Sequence, residues 1–415
     1  MALLSLIVLC ITLVVAFVCK LNSGLVAIAV SLLLARIAGI SDKFLISSFN
    51  NSLFLMLLGV MYLFAIAQEN KTLELLSKKT FALCRGHAKL LPVVIFLVSA
   101  VISGIGPGLI SVTALVAVLI VALAKEMNTP VIRLAPFGLL GAFAGGLTPI
   151  TPSGIVAVDV AGKNGITGVE GSLPWKMVLT CALYAAVLYF FVYKWHKEKS
   201  RPVAPKGEEE PTEAFSAKQI ATLVGILVVA VVSSVFNVNV GLISFAVAVI
   251  LSLFRVADEG AALKKVPWGT LVMITGVGIL ISLVTELGGI DLLSDTLSKL
   301  STTKTAAAIM ALLSGVMSWV SSASGVVMPT LIPTVPDMVA AVPGTDAVEL
   351  VNCISIGANM AAMSPLSSCG ALMLAAYTSS GEISPKDRNR MFLRLFILSA
   401  CGVALTGLLA LVGAY

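Results

Sequence analysis

The side chains in this chain that can do chemistry are mostly neutral hydroxyls set in four otherwise apolar regions. They are Ser103; Thr148, Thr151 and Ser153; Ser321, Ser322 and Ser324; and Ser364, Ser367 and Ser368. A hydroxyl donates to a carboxylate or offers oxygen to a cation. Each group sits among helix breakers: Ser103-Gly104-Ile105-Gly106-Pro107-Gly108, Thr148-Pro149-Ile150-Thr151-Pro152-Ser153-Gly154, Ser321-Ser322-Ala323-Ser324-Gly325 and Ser364-Pro365-Leu366-Ser367-Ser368-Cys369-Gly370. Backbone unwound at membrane depth leaves amides and carbonyls that lipid cannot satisfy, at several kcal/mol each, so it persists only around a polar cavity enclosed by protein. Four breaks therefore imply one shared cavity. Each break also starts a helix whose N-terminus carries roughly half a positive charge, so four converging starts offer an anion about +2. A dicarboxylate suits that field, and backbone carbonyls at the same breaks would complete a sodium shell.

Other chemistries find no carriers. His87 and His196 fall in basic loops, and the seven cysteines show no CxxC spacing, so neither a metal site nor a disulfide framework is expected. No Asp, Glu, Lys or Arg lies near the centre of an apolar run; Glu126, Asp159 and Glu286 stand near ends or loops. A carboxylate proton relay thus lacks a carrier, and sodium coupling is favoured. An intramembrane enzyme would need a nucleophile with its base, or paired aspartates, inside the spans. A channel would need a charged ring or a repeated carbonyl filter. Neither set is present. Asn359 is a mid-membrane amide that reads equally as ligand or as interhelical hydrogen bond, and any single hydroxyl has the same two readings. Asn352, Ser111 and Thr113 read as packing.

Elements able to position these residues follow from composition. Of 415 residues, 58% are hydrophobic and 12% charged, half of what a soluble protein carries. The apolar runs are continuous rather than alternating, which excludes an outer-membrane barrel. The chain is an all-helical polytopic membrane protein. Simple spans are expected at about 2–19, 22–39, 52–69 and 176–194, then at 219–236, 239–254, 266–286 and 391–413. Met1 to Cys19 lacks a positive n-region and a clear cleavage site, and reads as a first helix. Trp175, Trp195 and Trp268 fit interfacial anchors. Residues 91–124 would form a helix of about 50 Å against a hydrocarbon core of about 30 Å, so with their central glycines they fold back as a re-entrant hairpin. Residues 305–336, with Pro329, Pro333 and Pro336, do the same. Residues 134–160 and 350–378 read as helices broken in mid-membrane.

These features divide the chain into an N-terminal repeat (1–195), a cytoplasmic linker (196–218) carrying Glu208, Glu209 and Glu210, and a C-terminal inverted repeat (219–415). A shift of 216 residues lays Thr148-Pro149-Ile150-Thr151 on Ser364-Pro365-Leu366-Ser367 and Gly154 on Gly370, a shared [ST]-P-[IL]-[ST]-x-x-G. Interruptions repeated in corresponding places point to a transporter's binding site. With both hairpins re-entrant each half crosses five times, and 21 of the 27 Lys and Arg fall inside. With each hairpin crossing instead, the split is 13 inside and 14 outside, and the positive-inside bias vanishes. Re-entry places both termini outside. The +6 net charge is explained by this loop placement and calls for no nucleic-acid partner.

The Ser-bearing tips at Ser103-Gly104-Ile105-Gly106-Pro107 and Ser321-Ser322-Ala323-Ser324-Gly325, each followed by a helix broken at Thr-Pro or Ser-Pro, resemble the ion transporter superfamily over nearly the whole chain. Within it the chain looks most like the MatC-type dicarboxylate (malonate) carriers, relatives of the divalent anion:sodium symporters. In those symporters the tips carry Ser-Asn-Thr; here Gly104 and Ser322 or Ala323 stand where the Asn would be, and the second proline of the broken-helix element is displaced to Pro152 or absent. The resemblance implies substrate contacts at Ser103, Gly104, Thr148, Pro149, Thr151, Ser321, Ser322, Ser324, Asn359, Ser364, Pro365 and Ser367. It implies sodium near Ser103, Gly106, Gly146, Thr148, Ser322, Gly325, Ala362 and Ser364, and no other cofactor. It further implies a homodimer whose hairpin-bearing domain slides as an elevator; a bacterial inner membrane is the expected location, since no organellar presequence is read before the first helix. The competing expectation is a carrier of the same fold for another small anion, or a sodium-independent exchanger.

Overall fold

The computed structural model describes residues 1–82, 90–126, 129–193, 214–236, 238–379 and 383–415. Most of the expected linker, both histidines, Trp195 and part of the basic loop from Lys71 to Lys89 lie outside the described residues. Among the described residues the chain is helical with no strand. α1 (Ala2–Val18), α2 (Ser23–Ala38), the short α3 (Asp42–Ser47), α4 (Asn51–Glu69) and α5 (Thr72–Ala82) come first. α6 (Leu91–Gly104) and α7 (Gly108–Glu126) flank the first glycine-rich tip, and α8 (Ala135–Gly145) and α9 (Pro152–Lys163) flank the first break, before α10 (Val169–Leu188). The second half runs α11 (Ala217–Phe236), α12 (Val240–Leu253), α13 (Glu259–Lys265), α14 (Trp268–Glu286), α15 (Gly289–Leu300) and α16 (Ala306–Val320). Then come α17 (Met328–Leu331), α18 (Val335–Ala341), α19 (Ala347–Met360), α20 (Ser368–Thr378) and α21 (Pro385–Leu411).

Local chemistry sets several boundaries. Asn22 and Asn239 cap α2 and α12, their side-chain oxygens accepting the Gly24 and Gly241 amides at 2.9 and 3.0 Å. The arm of the second expected hairpin after Ser322 is a stack of pieces: a π turn at Ala323–Val327, α17, a 3₁₀ turn at Ile332–Thr334 and α18. Pro329, Pro333 and Pro336 each remove an amide donor, so the hydrogen-bond pitch changes along the stack. The two breaks also differ from the motif boundaries. Helix stops at Gly145 and Met360 and resumes at Pro152 and Ser368, so Ser153, Gly154 and Gly370 lie in the first turns of the next helices.

Membrane helices approach closely only where small residues let backbones touch, because lipid supplies no hydrophobic drive between them. Here α2 crosses α14 at Gly24 and Gly276, and α4 crosses α12 at Gly59 and Gly241. A Cβ on Gly24 would stand 2.1 Å from the Val272 carbonyl oxygen, and one on Gly59 would stand 2.2 Å from that of Gly241. The spacing is itself a repeat: 217 residues separate Gly24 from Gly241 and Gly59 from Gly276. Likewise Gly141 and Gly145 of α8 press on α6, and Gly357 of α19 presses on α16. α4 from Gly59 to Ala67, all of α8, and α19 from Leu350 to Met360 are buried throughout. The large exposed side chains of α1 and α2, among them Leu3, Val14, Leu25 and Leu33, form an apolar outer face.

Seven helical stretches among the described residues are long and apolar enough to cross a bilayer. α6, with 14 residues, reaches only about 21 Å. Replacing Gly241 by leucine is expected to wedge α12 off the Met56 backbone, where a Cβ would already lie 2.3 Å from the Met56 Cα. A loss of about 1–3 kcal/mol or more should lower the melting temperature of the detergent-solubilised protein, read by size-exclusion after heating.

Candidate functional site

The first tip and the first break are knitted together by hydroxyls. Ser103 Oγ on α6 donates to the Ala142 carbonyl at 2.7 Å, and Thr148 Oγ1 donates to the Gly104 carbonyl at 2.8 Å. Thr151 Oγ1 lies 2.8 Å from both the Gly146 and Thr148 carbonyl oxygens and accepts the Gly154 amide at 3.3 Å. A turn from Thr148 to Thr151 closes with a backbone bond of 3.0 Å. Ser103, Gly104, Gly146, Thr148 and Thr151 therefore form one cluster rich in carbonyl oxygen, with Ser103 and Thr151 fully buried and Pro149 exposed. The proline-led turn explains the trailing glycine of the repeated motif. A Cβ on Gly154 would come 1.9 Å from the Thr148 carbonyl oxygen, and one on Gly370 would come 2.3 Å from that of Met363.

The second tip and break are built similarly but are less bonded to each other. Ser321 Oγ donates back to the Met317 carbonyl at 2.6 Å, and Ser322 Oγ accepts the Gly325 amide at 3.1 Å. The Ser364 carbonyl accepts the Ser367 amide at 2.9 Å, and Ser364 Oγ accepts the Leu366 amide at 3.2 Å. Ser364 and Pro365 are buried, Ser367 is half-buried and Ser368 is exposed. Ala362, in the 3₁₀ turn that ends α19, is buried. Asn359 is fully buried; its Nδ2 donates to the Ser355 carbonyl at 2.8 Å, while its Oδ1 has no hydrogen-bond partner among the described residues. Asn352 bonds with Ser172 at 3.1 Å, in line with a packing role.

A cavity of about 80 Å³ lies where both tips meet α4 and the start of α14. The first tip gives it Gly106, Pro107 and Gly108; α9 gives Pro152 and Ser153; and the second tip gives Ser324. Met61, Phe64, Ala65 and Gln68 of α4 form one wall, and Lys265, Pro267 and Thr270 close another. Two helix starts meet here. A Cβ on Gly108, the first residue of α7, would lie 2.9 Å from the Pro152 Cδ at the start of α9. Their positive ends together offer about one unit charge to an anion.

Of the four expected helix starts, those of α7 and α9 line this cavity, together with Ser324 of the π turn at the second tip. Of the twelve substrate candidates Ser324 alone lines this cavity; Ser103, Gly104, Thr148, Pro149, Thr151, Ser321, Ser322, Asn359, Ser364, Pro365 and Ser367 do not. The first-half sodium candidates Ser103, Gly146 and Thr148 lie together, while Gly106 lines the cavity. Ser322, Gly325, Ala362 and Ser364 belong to the second tip and second break, where Gly325 packs on Met273 of α14. Sequence reading missed Gln68, Lys265 and Thr270 as lining residues and gave Ser111 to packing. Their signal was weak: they sit at helix ends, as ordinary loop-flanking polar residues do. Lys265 pairs with Glu69 at 2.7 Å, joining α13 to the end of α4.

With this geometry in view, comparison with known proteins is direct. No curated protein matches the chain. Among solved structures, the YdaH transporter of Alcanivorax borkumensis superposes with a TM-score of 0.61 at 12% identity, covering 89% of this chain and 87% of that one. At that identity the likeness is one of fold. The family described as CitMHS, citrate transporter, matches residues 7–357, the greater part of the chain. The chain belongs to the CitMHS citrate-transporter family of the ion transporter superfamily, and is a secondary transporter of small carboxylates rather than an enzyme.

Proposed function

We propose that the cargo is a small carboxylate bearing two or more charges, malonate or a C4-dicarboxylate foremost, moved with sodium by an elevator-type exchange of access. The observation that carries this reading is the meeting of the α7 and α9 starts at a cavity also lined by Ser153 and Ser324. At the α9 start Pro152 has no amide hydrogen and Thr151 takes the Gly154 amide, which leaves the Ser153 amide and hydroxyl to meet a carboxylate oxygen beside the first turn of α7. Sodium is assigned to the cluster of Gly104, Ala142, Gly146 and Thr148 carbonyl oxygens, each of which accepts a hydrogen bond from the hydroxyl of Ser103, Thr148 or Thr151. The doubled glycine crossings, with their 217-residue spacing, support two inverted repeats, one set of crossings holding a fixed scaffold. In the positive-inside topology Lys265 is cytoplasmic, so the cavity opens inward, with both termini outside an inner membrane. A homodimer built on the scaffold completes the reading.

Proteoliposome uptake of labelled malonate, succinate and citrate, with and without an inward sodium gradient, tests it. Sodium-stimulated uptake of at least one is expected. Uptake of none, or uptake indifferent to sodium, overturns the cargo or the coupling respectively. Thr148→Val adds a specific prediction. Losing the hydroxyl leaves the Gly104 carbonyl without its partner and no longer held in place within the proposed shell, so the sodium concentration for half-maximal uptake should rise about tenfold.

A further inference from the structure

We propose that Lys265 is a substrate-binding and specificity-determining residue: its ammonium takes the second carboxylate of the cargo and is held at the cavity mouth by Glu69 while the site is empty. This rests on the cavity being the carboxylate site. Among the described residues lining that cavity, Lys265 is the single charged one; the polar remainder are Gln68, Ser111, Ser153, Thr270 and Ser324. The two helix starts supply about one unit of positive charge at one end, which satisfies one carboxylate. A second carboxylate needs a second positive centre, and Lys265 is where the cavity provides it. The side chain is 43% exposed and Glu69 25% exposed, so the pair stands at the water-filled mouth rather than in dry protein. An ion pair so exposed holds together weakly, and an entering carboxylate can displace Glu69.

Position along the fold also favours a ligand role over a merely structural one. Lys265 ends α13, and Glu69 ends α4, the helix whose face from Met61 to Gln68 forms the cavity wall. Glu286, which stands 217 residues after Glu69 at the end of α14, is exposed and has no ion pair with any described residue. Repetition of the helix end thus does not by itself require a lysine opposite the glutamate. The lysine occurs where the cavity is.

The test uses the full chain in proteoliposomes, with labelled succinate as the probe and unlabelled citrate and propionate as competitors. Lys265→Gln is expected to raise the KM for succinate and the inhibition constant of citrate about tenfold, with kcat and the inhibition constant of propionate changed less than about twofold. Lys265→Arg should restore most of the affinity, and Glu69→Gln, which frees the ammonium, should lower the succinate KM. Equal weakening of succinate and propionate in Lys265→Gln overturns the proposal, because a structural lysine would damage both alike. An unchanged succinate KM in both Lys265→Gln and Glu69→Gln also overturns it. If Lys265→Gln does not fold, an unaltered or raised succinate KM in Glu69→Gln decides against it, and a lowered one decides for it. Absence of carboxylate uptake by the unaltered protein would instead fault the reading of the cavity.

Discussion

Gly154→Ala is expected to cut transport at least about tenfold, while Gly162→Ala, in the same helix, leaves it intact. At position 154 the new methyl would stand 1.9 Å from the Thr148 carbonyl oxygen and 2.6 Å from its carbon. Neither atom belongs to a flexible side chain, so the turn itself must move. That turn is closed by the Thr151 amide and hydroxyl on the same Thr148 oxygen. Opening it would strip the oxygen of its donors, cost about 1–3 kcal/mol for the orphaned carbonyl, and misplace the α9 start in the cavity. Uptake should fall at least about tenfold, with a lower melting temperature. At position 162 a methyl meets nothing within 4 Å, and alanine should stabilise α9 by about 0.5–1 kcal/mol. Equal uptake by the two variants would show that the turn at Thr148 has no part in holding the site.

The same glycine shows what a sequence discloses and what it withholds. The motif Thr148 to Gly154 was legible because its spacing returns at Ser364 to Gly370, and the close approach of each glycine to its own turn is a local constraint that any copy must meet. Four interruptions were therefore readable one by one. Their assembly was not, since the direction in which a helix start points depends on packing across hundreds of residues. Hence Ser153 and Ser324 reach the cavity of the first tip, while Thr148 and Ser364, which lead the two copies of the repeated motif, do not. Lys265 and Gln68 escaped notice for a related reason. Charged and amide side chains at the ends of membrane helices are common, and only tertiary contact turns one of them into a cavity wall. The glycine pairs Gly24 with Gly241 and Gly59 with Gly276 were legible in principle through their shared spacing, though glycine is frequent enough in membrane helices to hide it.

Substituting the glycines of the two tips should have unequal effects, and the inequality tests which tip is held against the rigid wall. Gly106 has φ +137°, a conformation that costs an L-residue on the order of 1–3 kcal/mol. A Cβ there would also lie 2.1 Å from Cε2 of Phe64, a ring 5% exposed on the buried helix α4, with little room to swing. Gly325 has no positive φ, and its nearest neighbour is the terminal methyl of Met273 at 2.7 Å, which three rotatable bonds let move aside. Gly106→Ala should therefore lose nearly all uptake and Gly325→Ala retain most of it. Adding Phe64→Ala to Gly106→Ala removes the clash but not the backbone strain, so part of the uptake should return. Full recovery in the double variant would mean that the strain costs little and the ring alone sets the position of the first tip. A Gly325→Ala loss as deep as that of Gly106→Ala would mean that Met273 is as fixed as Phe64, and that both tips, rather than the first alone, are locked against the wall in this state.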